Sequence, residues 1–222
     1  MLDEPLRSHC SRPALSGRRT GNTATERRGY SVHFFALGYV GDNFIEFMPK
    51  YLVVSTSGNP DSNSRKMGRI ALGHLQKAKV NCEWLDIGEL GLPLCDADTC
   101  YMQPAAQKLN ASIEAADAIL VATPVYNYDV AAAAKNMVEL TGSSWEDKIV
   151  GFLCAAGGMN SYMSVMAFAN SLMLDFRCVI LPRFVYATGN AFDDDKLKDE
   201  KVAQRIEEVA AELIRFGQAL RG

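Results

Sequence analysis

The sequence predicts an α/β fold, a doubly wound parallel sheet of five strands with helices on both faces. From Tyr51 onward, short apolar runs alternate with longer stretches in which apolar residues recur every three or four positions. Short, mostly apolar runs are the mark of strands covered on both sides. Parallel strands need crossover connections, and right-handed crossovers place helices on both faces of the sheet.

The elements follow in order. "YLVVS" (51–55) is the first strand, and "RKMGRIALGHLQKA" follows with Met67, Ile70, Ala71, Leu75 and Ala78 at helical spacing. "VNCEWLDI" (80–87) is the second strand. A polar helical stretch near 103–116 leads into the third, "AILVAT" (118–123), and "AAAAKNMVELT" is the next helix. "IVGFLCAA" (149–156) is the fourth strand, "SYMSVMAFANSLMLD" a further helix, and "CVILPRFVY" (178–186) the fifth strand. The last helix sets Val202, Ile206, Val209, Leu213, Phe216 and Leu220 on one side and charges on the other.

With 222 residues, 48% of them hydrophobic, the chain has material for one sizeable core. Residues 1–47 differ from the rest, with arginines set among Ser, Thr and Gly and no lysine before Lys50. They are expected to be a disordered leader or a start-site artefact, with the natural domain spanning 48–222. The run "VHFFALGYV" is too short for a membrane span, so no membrane association is expected. A net charge of −3 without a basic stripe argues against nucleic acid as a partner. Six scattered cysteines and the lack of a signal peptide point to reduced thiols in a cytoplasmic protein. Cys95 and Cys100 form the one close pair, but His9, His33 and His74 have no ligand spacing with them, so no metal is expected.

In such sheets ligands collect beyond the carboxyl ends of the strands, where strand order reverses. Three loops lie there: "STSGNPDSNSR" (55–65), "TPVYNYD" (123–129) and "AAGGMNSYMS" (155–164). In the first, Ser57, Asn59, Ser62, Asn63 and Ser64 offer hydroxyls and amides where a helix begins, and a helix N-terminus suits an anion. Equally, Ser62 or Ser64 is an ordinary N-cap within a solvated turn. It is neither a Walker A sequence nor a GxGxxG fingerprint, which disfavours nucleoside triphosphate hydrolysis. In the second loop, Pro124, Tyr126, Asn127 and Tyr128 suit a planar heteroaromatic ring, or else make a Pro-initiated turn with exposed tyrosines. In the third, Gly157 and Gly158 permit close backbone approach to a ligand or simply form a turn.

Taken together, "VVSTSGNPDSNSR", "ADAILVATPVYNYDVAAAAKNMVEL" and "KIVGFLCAAGGMNSYMSVMAFANSLMLDFRCVILP" resemble the three signature regions of the NAD(P)H-dependent FMN reductases, a flavodoxin-like family. The resemblance spans roughly residues 49 to 190 and implies strand order 2-1-3-4-5. It implies that Ser57, Asn59, Ser62, Ser64 and Arg65 form a phosphate loop. It further implies that Pro124, Val125, Tyr126 and Asn127 surround the isoalloxazine ring, with Gly157 and Gly158 at the ring's other edge. The family often has an arginine where Asn59 stands, which makes Arg65 the candidate substitute charge.

The implied activity is hydride transfer from NADPH or NADH to bound FMN, followed by electron transfer to a small-molecule acceptor such as a flavin or quinone. The cofactor carries that chemistry, so no catalytic side chain is nominated. The resemblance also implies a homodimer or homotetramer, with the helix after "TPVYNY" near the interface. Two other classes compete: a flavodoxin-type electron carrier, which the modest acidity disfavours, and a flavin-free binding or regulatory protein of the same fold.

Overall fold

The computed structural model describes residues 48–193 and 196–221, so the leader expected over 1–47 lies outside the described residues. Its first half comprises β1 (Lys50–Ser55), α1 (Asn63–Lys77), β2 (Asn81–Asp86), α2 (Pro104–Ala115), β3 (Ala118–Tyr126) and β4 (Asp129–Val130). Next come α3 (Ala132–Thr141), β5 (Ile149–Ala156), α4 (Met166–Phe176), β6 (Val179–Ile180) and β7 (Val185–Thr188). The small hairpin of β8 (Phe192–Asp193) and β9 (Lys196–Leu197) precedes α5 (Glu200–Arg221).

The sheet runs β2-β1-β3-β5, with β6 and β7 both parallel to β5 on its far side. Counting β6 and β7 as one interrupted strand, this is the five-stranded order 2-1-3-4-5. The expected fifth strand over 178–186 is therefore split. Pro182 has no N–H to give a ladder, and the chain leaves the sheet after Leu181, whose N–H still donates to the Val150 carbonyl at 2.9 Å. It re-enters at Val185, opposite Leu153.

Residues alternate along each central strand between two packed layers. Leu52, Val54, Ile119, Val121, Val150 and Phe152 face α2, α3 and α4 through Leu109, Ile113, Met137, Phe168 and Leu172. Tyr51, Val53, Leu120 and Leu153 face α1 and α5 through Met67, Leu75, Ile206 and Leu213. Each of these aliphatic side chains is fully or almost fully buried and contributes about 1.5–3 kcal/mol. With both faces covered, a ligand reaches the backbone at the strand ends, and in sheets of this order it does so at the carboxyl ends.

Two elements differ from expectation at that end. β3 continues through Thr123, Pro124 and Val125 to Tyr126 and turns back as β4, with Val125 opposite Val130 and Tyr126 opposite Asp129. The residues "TPVY", expected as a loop, are thus strand. After β5, residues Met159–Ser161 form a single 3₁₀ turn, so α4 starts at Met166, later than "SYMSVMAFANSLMLD" suggested.

Candidate functional site

Parallel register brings the three loops together. Ser55 lies opposite Ala122, and Pro124 opposite Ala155, so the segments after β1, at the end of β3 and after β5 are neighbours at one end of the sheet. β1 sits between β2 and β3, and strand order reverses there.

The first loop is tied down at both ends. The Thr56 N–H donates to the Ala122 carbonyl at 2.9 Å, anchoring the loop to β3. Ser57 is buried, and its Oγ accepts the Asn59 N–H at 3.2 Å. Asn59 Oδ1 accepts the Asp61 N–H at 3.0 Å, and the Asn59 carbonyl accepts the Ser62 N–H at 3.2 Å. Ser62 caps α1 by accepting the Arg65 N–H at 3.3 Å, and its Oγ lies 3.4 Å from that of buried Ser64. A hydroxyl that accepts locally keeps its proton to donate elsewhere. Ser57 and one of the Ser62–Ser64 pair therefore hold donors at the N-terminus of α1, whose first turn contains no acid.

Arg65 and Asp86 were not linked by the sequence. Arg65 Nε lies 2.5 Å from Asp86 Oδ2, an ion pair whose N–H is not aligned as a hydrogen bond, with the carboxylate almost wholly buried. Arg65 Nη2 also donates to the Ser57 carbonyl at 3.4 Å, and the Gly88 N–H donates to Asp86 Oδ1 at 3.1 Å. A buried carboxylate needs a counter-charge, and the arginine meets that need. Arg65 thus faces Asp86 and braces the loop from beneath. A Cβ on Gly88 would stand 2.7 Å from the Ser57 carbonyl oxygen, so the connection after β2 presses directly on the loop. The available sequence signal is an acidic residue at the carboxyl end of the second strand, directly after Trp84 and Leu85.

The second segment is a two-residue hairpin. Asn127 and Tyr128 have φ of 51° and 67°, the left-handed pair of a type I′ turn. Asparagine tolerates this region, whereas a bulky residue such as tyrosine pays about 1–2 kcal/mol for it. Tyr126 and Tyr128 remain more than half exposed, while Pro124 and Val125 are buried beneath them. The Ala131 N–H donates to the Pro124 carbonyl at 3.0 Å and closes the hairpin onto α3.

In the third loop, Gly157 and Gly158 are exposed and a Cβ on either would meet no atom within 4 Å. Neither glycine is needed by a neighbouring part of the chain. Tyr186 of β7 donates its hydroxyl hydrogen to the Gly158 carbonyl and fixes the loop's position. The Tyr162 ring packs on those of Phe184 and Tyr186, with centroids 4.9 and 5.5 Å away. Buried Ser164, just before α4, has an Oγ with no hydrogen-bond partner. Cys154, near the end of β5, is fully buried, and burial pushes its thiol up to about 12. Among the described residues no group of His, Cys, Asp and Glu is arranged to hold a metal ion, and no helix is long and apolar enough to cross a membrane.

The fold and this end of the sheet define a flavodoxin-like protein whose loops offer anion donors beside an aromatic hairpin. The chain belongs to the NADPH-dependent FMN reductase family, whose model matches residues 49–193. It is 24% identical over 147 residues to an NAD(P)H-dependent FAD/FMN reductase of Geobacillus thermodenitrificans, covering 64% of this chain and 79% of that one. It is 27% identical over 179 residues to a probable NADPH:quinone oxidoreductase 2 of Oryza sativa, covering 72% and 88%. In fold it is similar to FerB, a flavoenzyme NAD(P)H:(acceptor) oxidoreductase from Paracoccus denitrificans, at TM-score 0.64 and 20% identity over 78% of this chain and 98% of that one. The chain is accordingly an FMN-dependent NAD(P)H oxidoreductase.

The residues present fit that cofactor. Serine protons and the first turn of α1 suit a phosphate, the open side of Gly157 and Gly158 admits a ring edge, and two uncovered tyrosines border the same end.

Proposed function

We propose that the FMN phosphate is held by the Ser57, Asn59, Ser62 and Ser64 segment, with Pro124, Val125, Tyr126 and Asn127 along one side of the ring and Gly157 and Gly158 at the other. FMN, when bound, supplies the redox chemistry, taking a hydride from NADPH or NADH and passing electrons to a small-molecule acceptor such as a quinone or flavin. The observation that carries this reading is the registration of the three loops at one sheet end, which brings serine donors and exposed tyrosines to the same end. Ser57 and Ser62 donate to phosphate oxygens. Backbone N–H groups of the second and third loops stabilise negative charge on the ring as preorganised dipoles. Tyr126 and Tyr128 offer flat faces that orient the nicotinamide or acceptor and displace water. Arg65 contributes through Asp86, by keeping the loop in place.

The test is spectroscopic. FMN added to the purified chain should shift its visible spectrum, and anaerobic NADPH or NADH should then bleach it within seconds. A spectrum unchanged by FMN would overturn the site, and slow or absent bleaching of bound flavin would favour an electron carrier.

The working unit is a homodimer. Met159, Tyr162, Met163, Met166, Met173 and Leu174 are large apolar residues left exposed after the third loop and along α4, an arrangement typical of an association surface. Sedimentation at micromolar concentration should give twice the chain mass, and a monomer would refute the assignment. The described cysteines are free thiols, which supports a reducing, cytoplasmic setting.

A further inference from the structure

Further along the connection from β2 to α2, the chain folds back on itself at "CDADTC". The Asp96 carboxylate gathers it, accepting from the Asp98 N–H at 2.9 Å, the Cys100 N–H at 3.0 Å and the Thr99 hydroxyl at 2.7 Å. Ala97 takes the left-handed conformation, with φ of 60°, that this reversal needs. The segment is anchored to α3 by Asn136, which accepts the Cys95 N–H at 2.8 Å and donates to the Pro93 carbonyl at 2.8 Å. The outcome is that Cys95 Sγ and Cys100 Sγ lie 3.9 Å apart, the first partly exposed and the second buried. Cys95 Sγ is also 3.6 Å from the Tyr101 hydroxyl.

We propose that Cys95 and Cys100 are a redox-modification site, an accessible attacking thiol and a buried resolving thiol that a hydroperoxide converts to an intramolecular disulfide. In the first step the Cys95 thiolate attacks one peroxide oxygen. The O–O bond breaks, and hydroxide leaves and takes a proton from solvent. Cys95 is oxidised to sulfenic acid and the peroxide is reduced. In the second step Cys100 sulfur attacks Cys95 sulfur, the S–O bond breaks, and the departing hydroxide leaves as water with the Cys100 proton. Two thiols and one hydrogen peroxide thus give one disulfide and two waters. The sulfurs, 3.9 Å apart, must close by about 2 Å to reach bonding distance.

The electrostatics agree with these roles. The hydrogen bond with the Tyr101 hydroxyl holds the Cys95 thiol below its ordinary range, favouring the thiolate, while burial pushes Cys100 up and keeps it protonated until it attacks. Cys82 supplies an internal control, because it is also partly exposed but its thiol is pushed up by burial.

Cleavage before Asp86, Asp96 and Asp98 puts Cys82, Cys95 and Cys100 on three separate fragments. The full chain is treated with stoichiometric hydrogen peroxide, its remaining thiols are blocked, and it is digested without reductant. The expected result is that the Cys95 and Cys100 fragments are recovered linked, two hydrogens lighter than their sum, and separated by dithiothreitol. Cys82 should remain a blocked thiol. In Cys100→Ser, Cys95 should accumulate as sulfenic acid that dimedone traps. Recovery of Cys95 as unlinked sulfinic acid beside a free Cys100, or oxidation of Cys82 as fast as Cys95, overturns the proposal. The wild-type chain carries the primary reading, so the folding of a variant does not decide it.

Discussion

Arg65 of α1 and Asp86 at the end of β2 meet at 2.5 Å with their side chains 12% and 1% exposed, and through this pair the first loop is fastened to the sheet. Removing the carboxylate would leave a buried guanidinium uncompensated. Asp86→Ala is expected to lower unfolding stability by about 3 kcal/mol and to weaken FMN binding, as read by urea unfolding and flavin titration. Adding Arg65→Ala should cost less than the sum of the two single changes, because the partners share one interaction.

Ser62 caps α1, and the proposed phosphate contact would give it a second, separable duty. Aspartate caps a helix as well as serine does. Ser62→Asp should therefore leave the melting temperature unchanged or slightly raised while loosening FMN by roughly two orders of magnitude, through like charge against the phosphate. Ser62→Ala should instead cost about 1 kcal/mol of stability with a smaller loss of affinity. Equal FMN dissociation constants for Ser62→Asp and the wild type would refute the placement of the phosphate.

The hairpin makes the opposite trade. Tyr128 holds φ of 67°, which glycine adopts freely. Tyr128→Gly should stabilise the fold by up to about 1 kcal/mol in thermal unfolding, offset by glycine's greater freedom in the unfolded chain. The same change removes an exposed aromatic face, so kcat/KM for the nicotinamide or acceptor should fall. A variant both less stable and equally active would contradict this account.

Cys178 gives the protein an alkaline limit. Burial pushes its thiol from 9.0 up to about 11, and its S–H donates to the Trp145 carbonyl at 3.1 Å. In that window the unfolded chain has released the proton and the folded chain has kept it, so the unfolded state binds fewer protons. Stability from this group is present below pH 9 and is lost as pH rises toward 11, with a slope of up to about 1.4 kcal/mol per pH unit. Cys178→Ala should flatten that part of the stability profile, measured by denaturant unfolding at fixed ionic strength.

Much of the fold is legible along the chain because its strands are apolar on both faces and its helices carry one buried stripe. Met67, Ala71 and Leu75 mark α1 without ambiguity. The fifth strand reads as continuous because "CVILPRFVY" is apolar at both ends, and only the missing N–H of Pro182 hints at the break. The hairpin was hidden for a different reason, since Asn-Tyr lacks the glycine that usually signals a type I′ turn. The three candidate loops are visible as unusual compositions after strands. The supports beneath them are not. Arg65 with Asp86, and Tyr186 with Gly158, are separated by 21 and 28 positions and join through the sheet, which local pattern does not encode.

The interruption between β6 and β7 also bears on the chain's behaviour in a crowded solution. An uninterrupted final strand would leave a straight row of unpaired N–H and C=O groups on which a foreign strand could polymerise. Pro182 removes one donor from that row, and Arg183 sets a charge beside the gap. This edge of the sheet is thereby a poor template for a foreign strand.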